Sequence, residues 1–537
     1  MGRPEPLGTP RTEALGSRAA VSSSHPAISL AGARVLADGG NAIDATLAMA
    51  ATAWLVLPGQ CGIGGDAFAI VREPDGRVWT VNGSGYGPDG GELGFYRERG
   101  FEALPLTGPL AVAVPGAPAA LATLHEGATR SLADLWAPAV REARTGVPCT
   151  AKTRSDVAEY AVELAVDPGA AGVFLPHGGL PPVGARLSHP DLADQMERLA
   201  ADPRAFYQGE LAERAVAFLR AGGAPFSGDE WAAAAEAPAQ PAISGRYGQA
   251  VVHQTPMPSA GWMVLQQAAI CDGIVGGHEQ LDVDGVHWMA SAARQAFADR
   301  FASCGSDTDA WAATLTPDAV TAARTAIEAA APAPSGLAVG GDTTSTVCVD
   351  SEGRAVSFIH SLAFTFGARV TVPGTGVLLN NRLGRGAYLI EGHPNAVRPR
   401  RKPLHTLNAW VADHPRRGLL HAGNCPGGDG QVQWNVQVLS HLLDHGDDPQ
   451  RAVSLPRFTV FPGSDADVVG KPSELRCEEG ISEATLTGLT ERGHRARRVP
   501  PQTGGPGGSA LAISLDHDRG VLRAGADPRM EGVPLAL

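Results

Sequence analysis

Apolar residues fall at helical spacing over 28–37, at Ile28, Ala31 and Val35, and then run almost unbroken over 45–57 until Pro58 stops them. Both stretches predict helices. Gly39 and Gly40 end the first, and Asn41, with Asp44 three residues later, offers capping oxygens to the second. The second is about 13 residues long, short of the roughly 20 a bilayer crossing needs, and reads as a buried helix. The period then changes. In QCGIGGDAFAIVREPDGRVWTVNGSGYGP (60–88) a glycine loop (Gly62, Gly64, Gly65) leads into a strand over 67–72, a Pro-Asp-Gly turn and a second strand over 78–81, which together predict a hairpin. No helix follows the glycines, so they are not a dinucleotide fingerprint.

Residues 110–240 carry Ala, Leu, Glu and Arg at helical spacing, with loops expected at VDPGAAG (166–172) and LPHGGLPP (175–182). GVHWMASAARQAFADR (285–300) predicts a helix with Met289, Ala293, Ala296 and Phe297 on its core side. From 343 onward the texture is strand and turn: TTSTVCVD, the turn SEGR, AVSFIHS, then VTVPGTGVLLNN. There is no internal repeat, and 329–341 is the one low-complexity tract.

Composition narrows the function classes. With 44% hydrophobic residues over 537, the chain can build a large core. Its net charge of -13 leaves no basic stripe for nucleic acid or an anionic membrane, so the expected partner is a small molecule. Seven cysteines without a Cys-x-x-Cys pair suggest neither a disulfide framework nor a zinc knuckle. They fit a reducing compartment. The N-terminal segment has no apolar run after its first basic residue, which places the protein in the cytoplasm. His441 and His445 stand four apart but lack a third ligand; a solvated helix face is the expectation, with no metal and no cofactor.

One junction carries chemistry. At GGDTTSTV an Ala-Pro-Gly-rich loop, about 329–342, turns into an apolar strand at Asp342-Thr343-Thr344. A threonine hydroxyl is a weak nucleophile without a base beside it. Cleavage between Asp342 and Thr343 would expose an α-amino group on Thr343 whose reference pKa, about 7.7 to 8, suits a general base near neutral pH. One residue would then supply nucleophile and base. Read by itself, the loop is also compatible with a plain linker.

The runs LADGGNAIDATLAMA, GIGGDAFAIV, PMPSAGWMVLQ, RQAFADR, PGTGVLLNNR, RPRRKPLHTL, NCPGGDGQ and GADPRMEG, in this order, resemble the gamma-glutamyltransferase (gamma-glutamyltranspeptidase) family of N-terminal-nucleophile (Ntn) hydrolases. The resemblance implies an α+β fold, a four-layered αββα sandwich of interleaved subunits. It also implies a large subunit, 1–342, and a small one, 343–537, cut from one precursor. Carried over by motif, Thr343 is the nucleophile, Thr344 its supporting neighbour, Ser361 the assisting hydroxyl, and Gly427 and Gly428 the backbone donors of the oxyanion hole, where glycine permits close approach.

The departures fall at the donor-binding end. Where the family grips a gamma-glutamyl donor with Arg, Asn, Asp and a Ser-Ser pair, this chain has Ser84, Ala363, Gly384-Arg385 and His405-Thr406, and Ser345 replaces the His of Thr-Thr-His. Serine cannot make a bidentate contact to a carboxylate, and arginine cannot replace a carboxylate beside an ammonium. Ordinary donors such as glutathione are therefore not expected. Tyr86, Arg382, Arg385 and His405 would suit an acidic or keto-acid group without an ammonium, unless the two arginines are merely solvated surface residues. The resemblance thus implies a self-processing hydrolase or acyltransferase acting on a non-standard acyl group. The alternatives are a carbon-carbon bond hydrolase of an alkylproline-type antibiotic pathway and a silent family member that only binds a small ligand.

Overall fold

The computed structural model describes residues 4–8, 11–329, 342–464, 466, 473–501 and 508–537. Most of the expected processing loop, 330–341, lies outside them. Two seven-stranded sheets form the centre. The first runs Leu535–Ala536, Ala20–Ser23, Asp342–Val349, Ala355–Ala363, Asp66–Arg72, Val78–Gly83, Gln240–Pro241. The second runs Ala14–Gly16, Val521–Ala526, Leu511–Asp516, Gly418–Asn424, Trp410–His414, Ala250–Gln254, Ile243–Tyr247. Each sheet mixes strands from both sides of residue 342, so neither side of that junction holds a complete sheet.

The layering follows from the period-2 pattern of the strands. Phe68, Ile70, Val347, Val349, Ala355 and Ile359 pack into the apolar layer between the sheets, with Val411, Leu511 and Ile513 of the second sheet. Their alternate neighbours, Ala67, Ala69, Val71, Cys348, Val356 and Phe358, pack outward under helices Pro26–Ala37 and Ala42–Val56. On the far side Trp410 and Ala412 pack under Gly261–Cys271, Val283–Ser303 and Gly430–Leu443. The result is the expected αββα order.

Local chemistry sets the element ends. Asn41 and Asp44 form a reciprocal capping box, 2.8 and 2.9 Å, that starts the wholly buried helix Ala42–Val56. The hairpin pairs Ala67 with Gly83 through Arg72 with Val78. The predicted helix over 285–300 is observed as Val283–Ser303, with Met289, Ala293, Ala296 and Phe297 buried. One expectation fails. VDPGAAG is not a loop: Asp167 accepts the Ala170 N–H at 2.7 Å and Pro168 occupies the first turn of helix Pro168–Phe174, where a missing N–H costs nothing. VTVPGTGVLLNN, expected within a texture of short strands and turns, folds back on itself: Leu379 N–H donates to Val370 O and Val372 N–H to Val377 O, both at 3.0 Å, either side of a Thr371–Leu378 bridge.

Candidate active site

The strands of the first sheet bring four polar residues level at one end. Ser361 is opposite Asp66, and one step beyond the Ala67–Gly83 pair Ser84 comes level with Asp66. On the other flank the register shifts: Asp342 pairs with Ala363 and Thr344 with His360, so Thr343 faces both Ser361 and Leu362. Such a bulge re-aims a side chain. The Thr343 hydroxyl donates to Ser361 Oγ at 3.1 Å, and Ser361 Oγ also accepts the Ala363 N–H at 2.8 Å. Ala363 holds a left-handed φ of +85°, an uncommon conformation for a residue with a Cβ. Thr343 and Ser361 are both buried. Directly opposed residues share a face, so the row Thr343, Ser361, Asp66, Ser84 lies on the side of Phe68 and Ile359, between the sheets. Thr344 is also buried, but it alternates with Cys348 toward the helices, opposite the Ser361 face.

The glycine pair follows strand Gly418–Asn424. Asn424 Nδ2 donates to Ser357 Oγ at 2.9 Å and to the carbonyls of Phe358 and Thr346, at 3.3 and 3.4 Å, which ties the end of that strand to the first sheet. Gly427 and Gly428 take φ of +130° and +56°, and their carbonyls accept from Gly430 and Gln431. Both are buried, and among the described residues neither of their N–H groups has a protein acceptor. Buried amides without a partner are rare and mark places where an acceptor is expected.

The donor-end substitutions cluster around the same row. His405 Nε2 lies 2.7 Å from Ser84 Oγ, with its ring edge-on to Phe68 at 4.9 Å. Its Nδ1 is buried without a partner among the described residues. Burial first, then the charges of Arg382, Lys402, Arg300 and Arg385, hold the imidazole well below its ordinary pKa, so it is neutral. Arg382 Nε donates to Asp66 Oδ2 at 2.9 Å, and Arg385 donates to the Ala363 carbonyl at 2.9 Å beneath the Phe364 ring. Both arginines are buried, which rules out the solvated-surface alternative. Thr406 is buried, but among the described residues it makes no hydrogen bond to Thr343 or Ser361. The expectation for the histidine pair fails in part: His441 is buried, not solvated, with Nδ1 2.9 Å from Gln280 Nε2.

Two residues at this site went unremarked in the sequence. Asp66 opens the strand DAFAIVR, which is apolar from Ala67 to Val71; burial raises its carboxyl to about 6, against the pull of Arg382 and Lys402. Lys402 sits over the Tyr86 ring at 5.0 Å. A charge at the head of an apolar strand was the available signal for Asp66. Lys402 had none beyond its place three residues before His405.

Among the described residues no helix is long and apolar enough to cross a membrane. The family model described as Gamma-glutamyltranspeptidase matches residues 28–537. The chain is 33% identical to the glutathione hydrolase-like YwrD proenzyme of Bacillus subtilis, over 97% of this chain and 99% of that protein. It is 31% identical to the oxamate amidohydrolase proenzyme of Klebsiella pneumoniae, over 93% and 94%. The crystal structure of cephalosporin acylase from Bacillus halodurans matches with a TM-score of 0.89 at 28% identity, covering 100% of this chain and 99% of that one. A match that runs from the first helix to the last strand, on a fold that superposes this closely, makes the chain a member of the gamma-glutamyltranspeptidase family, an Ntn hydrolase.

Proposed function

We propose that the protein is a self-processing amide hydrolase whose nucleophile is Thr343 and whose substrate is a small amide with an acyl part carrying no ammonium group. The hydrogen bond from the Thr343 hydroxyl to Ser361, 3.1 Å, is the observation that carries this reading. In the precursor, Thr343 Oγ1 attacks the Asp342 carbonyl. The peptide C–N bond breaks, an ester forms, and water hydrolyses it to leave a C-terminal carboxylate on Asp342 and a free amino group on Thr343. Residues 1–342 and 343–537 become large and small subunits that stay together because each sheet draws strands from both.

In turnover the α-amino group of Thr343 takes the hydroxyl proton as Oγ1 attacks the substrate carbonyl. The N–H groups of Gly427 and Gly428 receive the developing oxyanion. The amine leaves with the proton, and water, activated by the same amino group, hydrolyses the acyl ester. Ser361 fixes the Thr343 rotamer by accepting its hydrogen bond. The relatives named oxamate amidohydrolase and cephalosporin acylase support amide cleavage. Among the described residues the carboxylate in this row, Asp66, is already paired with Arg382, which leaves an ammonium group no free carboxylate in the row.

The test is intact mass and a denaturing gel of wild type and Thr343→Ala. Two fragments meeting at Asp342 and Thr343 in the wild type, with a single chain in the variant, support the reading. A single chain in both favours the silent binding member. Gamma-glutamyl-p-nitroanilide belongs in the substrate panel as the compound expected to fail.

A further inference from the structure

Among the cations gathered at the donor end, three are committed, Arg300 to Asp429 at 3.4 Å and to Ser464 Oγ at 2.6 Å. Arg382 is spent on Asp66, with both side chains buried, and Arg385 on the Ala363 carbonyl and the Phe364 face. Lys402 differs. Among the described residues its ammonium has no hydrogen-bond acceptor and no ion pair; it sits over the Tyr86 ring, 5.0 Å from the centroid. Tyr86 and Lys402 are also the partly exposed members of a group whose other members, Ser84, Asp66, Arg382, Arg385 and His405, are buried. Burial with only Asp66 in support lowers the Lys402 pKa to about 8, the mark of an ammonium short of a counterion.

We propose that Lys402 is the specificity-determining cation of this site: it receives a carboxylate on the acyl part of the substrate, with Tyr86 as the floor beneath it and the neutral His405–Ser84 pair beside it. This rests on the hydrolase reading above and names the substrate class within it, an amide of a short dicarboxylic or keto-dicarboxylic acid. The position that resembles the family's carboxylate-gripping arginine is Ser84, whose hydroxyl is taken up by His405, so the positive charge comes from a different segment of the chain. Lys402 is a point charge on a flexible stem, which accommodates a carboxylate without the bidentate geometry that arginine imposes.

The experiment compares the p-nitroanilides of four- and five-carbon dicarboxylic acids with those of the neutral monocarboxylic acids of equal length, using wild type, Lys402→Met and Lys402→Arg. Losing a charge-assisted hydrogen bond predicts that Lys402→Met raises KM for the anionic amides by about 10- to 100-fold while kcat and the neutral amides change little. Lys402→Arg retains most of the preference. Equal KM shifts for anionic and neutral amides, or a fall in kcat for both, overturn the assignment, because a structural role would act on both alike. If Lys402→Met does not fold, Lys402→Gln carries the same comparison. If the wild type hydrolyses none of the amides, the hydrolase reading fails, and calorimetry with succinate still decides this inference. Binding to wild type that Lys402→Met abolishes upholds the anion site, and equal binding or none overturns it.

Discussion

Asp66 and Arg382 form an ion pair of 2.9 Å with both side chains removed from solvent. Asp66 is level with Ser361 in the neighbouring strand, so the pair braces the sheet end from which Thr343 is presented. Removing one partner of a buried pair leaves an uncompensated charge, worth about 3 to 5 kcal/mol. Arg382→Met should destabilise the protein by that order at pH 7.5 in urea melts. Without the guanidinium the Asp66 carboxyl rises further above about 6, so protonation relieves the stranded charge and the deficit shrinks as pH falls. The double variant Asp66→Asn, Arg382→Met should recover most of the loss. Additive losses in the double variant would show that the two residues do not act as a pair.

Ser361→Ala removes the acceptor that orients the Thr343 hydroxyl. A neutral hydrogen bond of this kind predicts a loss of about 2- to 10-fold in the rates of self-cleavage and of turnover, and Ser361→Thr should restore both. Time courses of fragment appearance, with single-turnover kinetics, measure the two separately. An unchanged cleavage rate in Ser361→Ala would remove Ser361 from the mechanism.

Gly427 has a φ of +130°, a conformation almost confined to glycine. Gly427→Ala must rotate the peptide that carries the buried donors, and losing one oxyanion donor lowers kcat by about 100- to 1,000-fold. KM should move far less. A variant that turns over normally would place the oxyanion elsewhere.

The pH profile separates anionic from neutral substrates. The groups facing Lys402 are Asp66, which raises its pKa, His405, which is neutral, Arg382 beside Asp66, and the Tyr86 ring. The net effect is a pKa near 8, below its ordinary value, so the positive charge is present below pH 8 and lost above it. For anionic amides kcat/KM should fall as pH rises through 8. For neutral amides it should not, and Lys402→Arg should move the fall to far higher pH, since guanidinium stays charged. A common alkaline limb for both substrate types would assign it to another group.

Much of this protein was legible before its tertiary structure. The capping box at Asn41 and Asp44, the hairpin after the glycine loop and the buried helix over 283–303 all follow from side-chain period and local hydrogen bonding, which are written within a few residues of one another. The ordered motifs fixed the family, and with it the αββα order. Local signals failed where a segment had two local solutions: VDPGAAG reads as a loop until Asp167 is seen capping a helix.

What only the tertiary structure decided is the electrostatic makeup of the site. The sequence by itself determined that the donor-end residues had changed, but it could not say which positive charges were already engaged. That depends on residues hundreds of positions apart becoming neighbours across a sheet: Asp66 and Arg382 are 316 residues apart, and Ser84 and His405 are 321. Charge is a property of one residue and can be counted in a sequence. Whether it is neutralised is a property of a pair, decided by strand register and burial, and so Arg382 and Arg385, prominent in the sequence, proved committed while Lys402 did not.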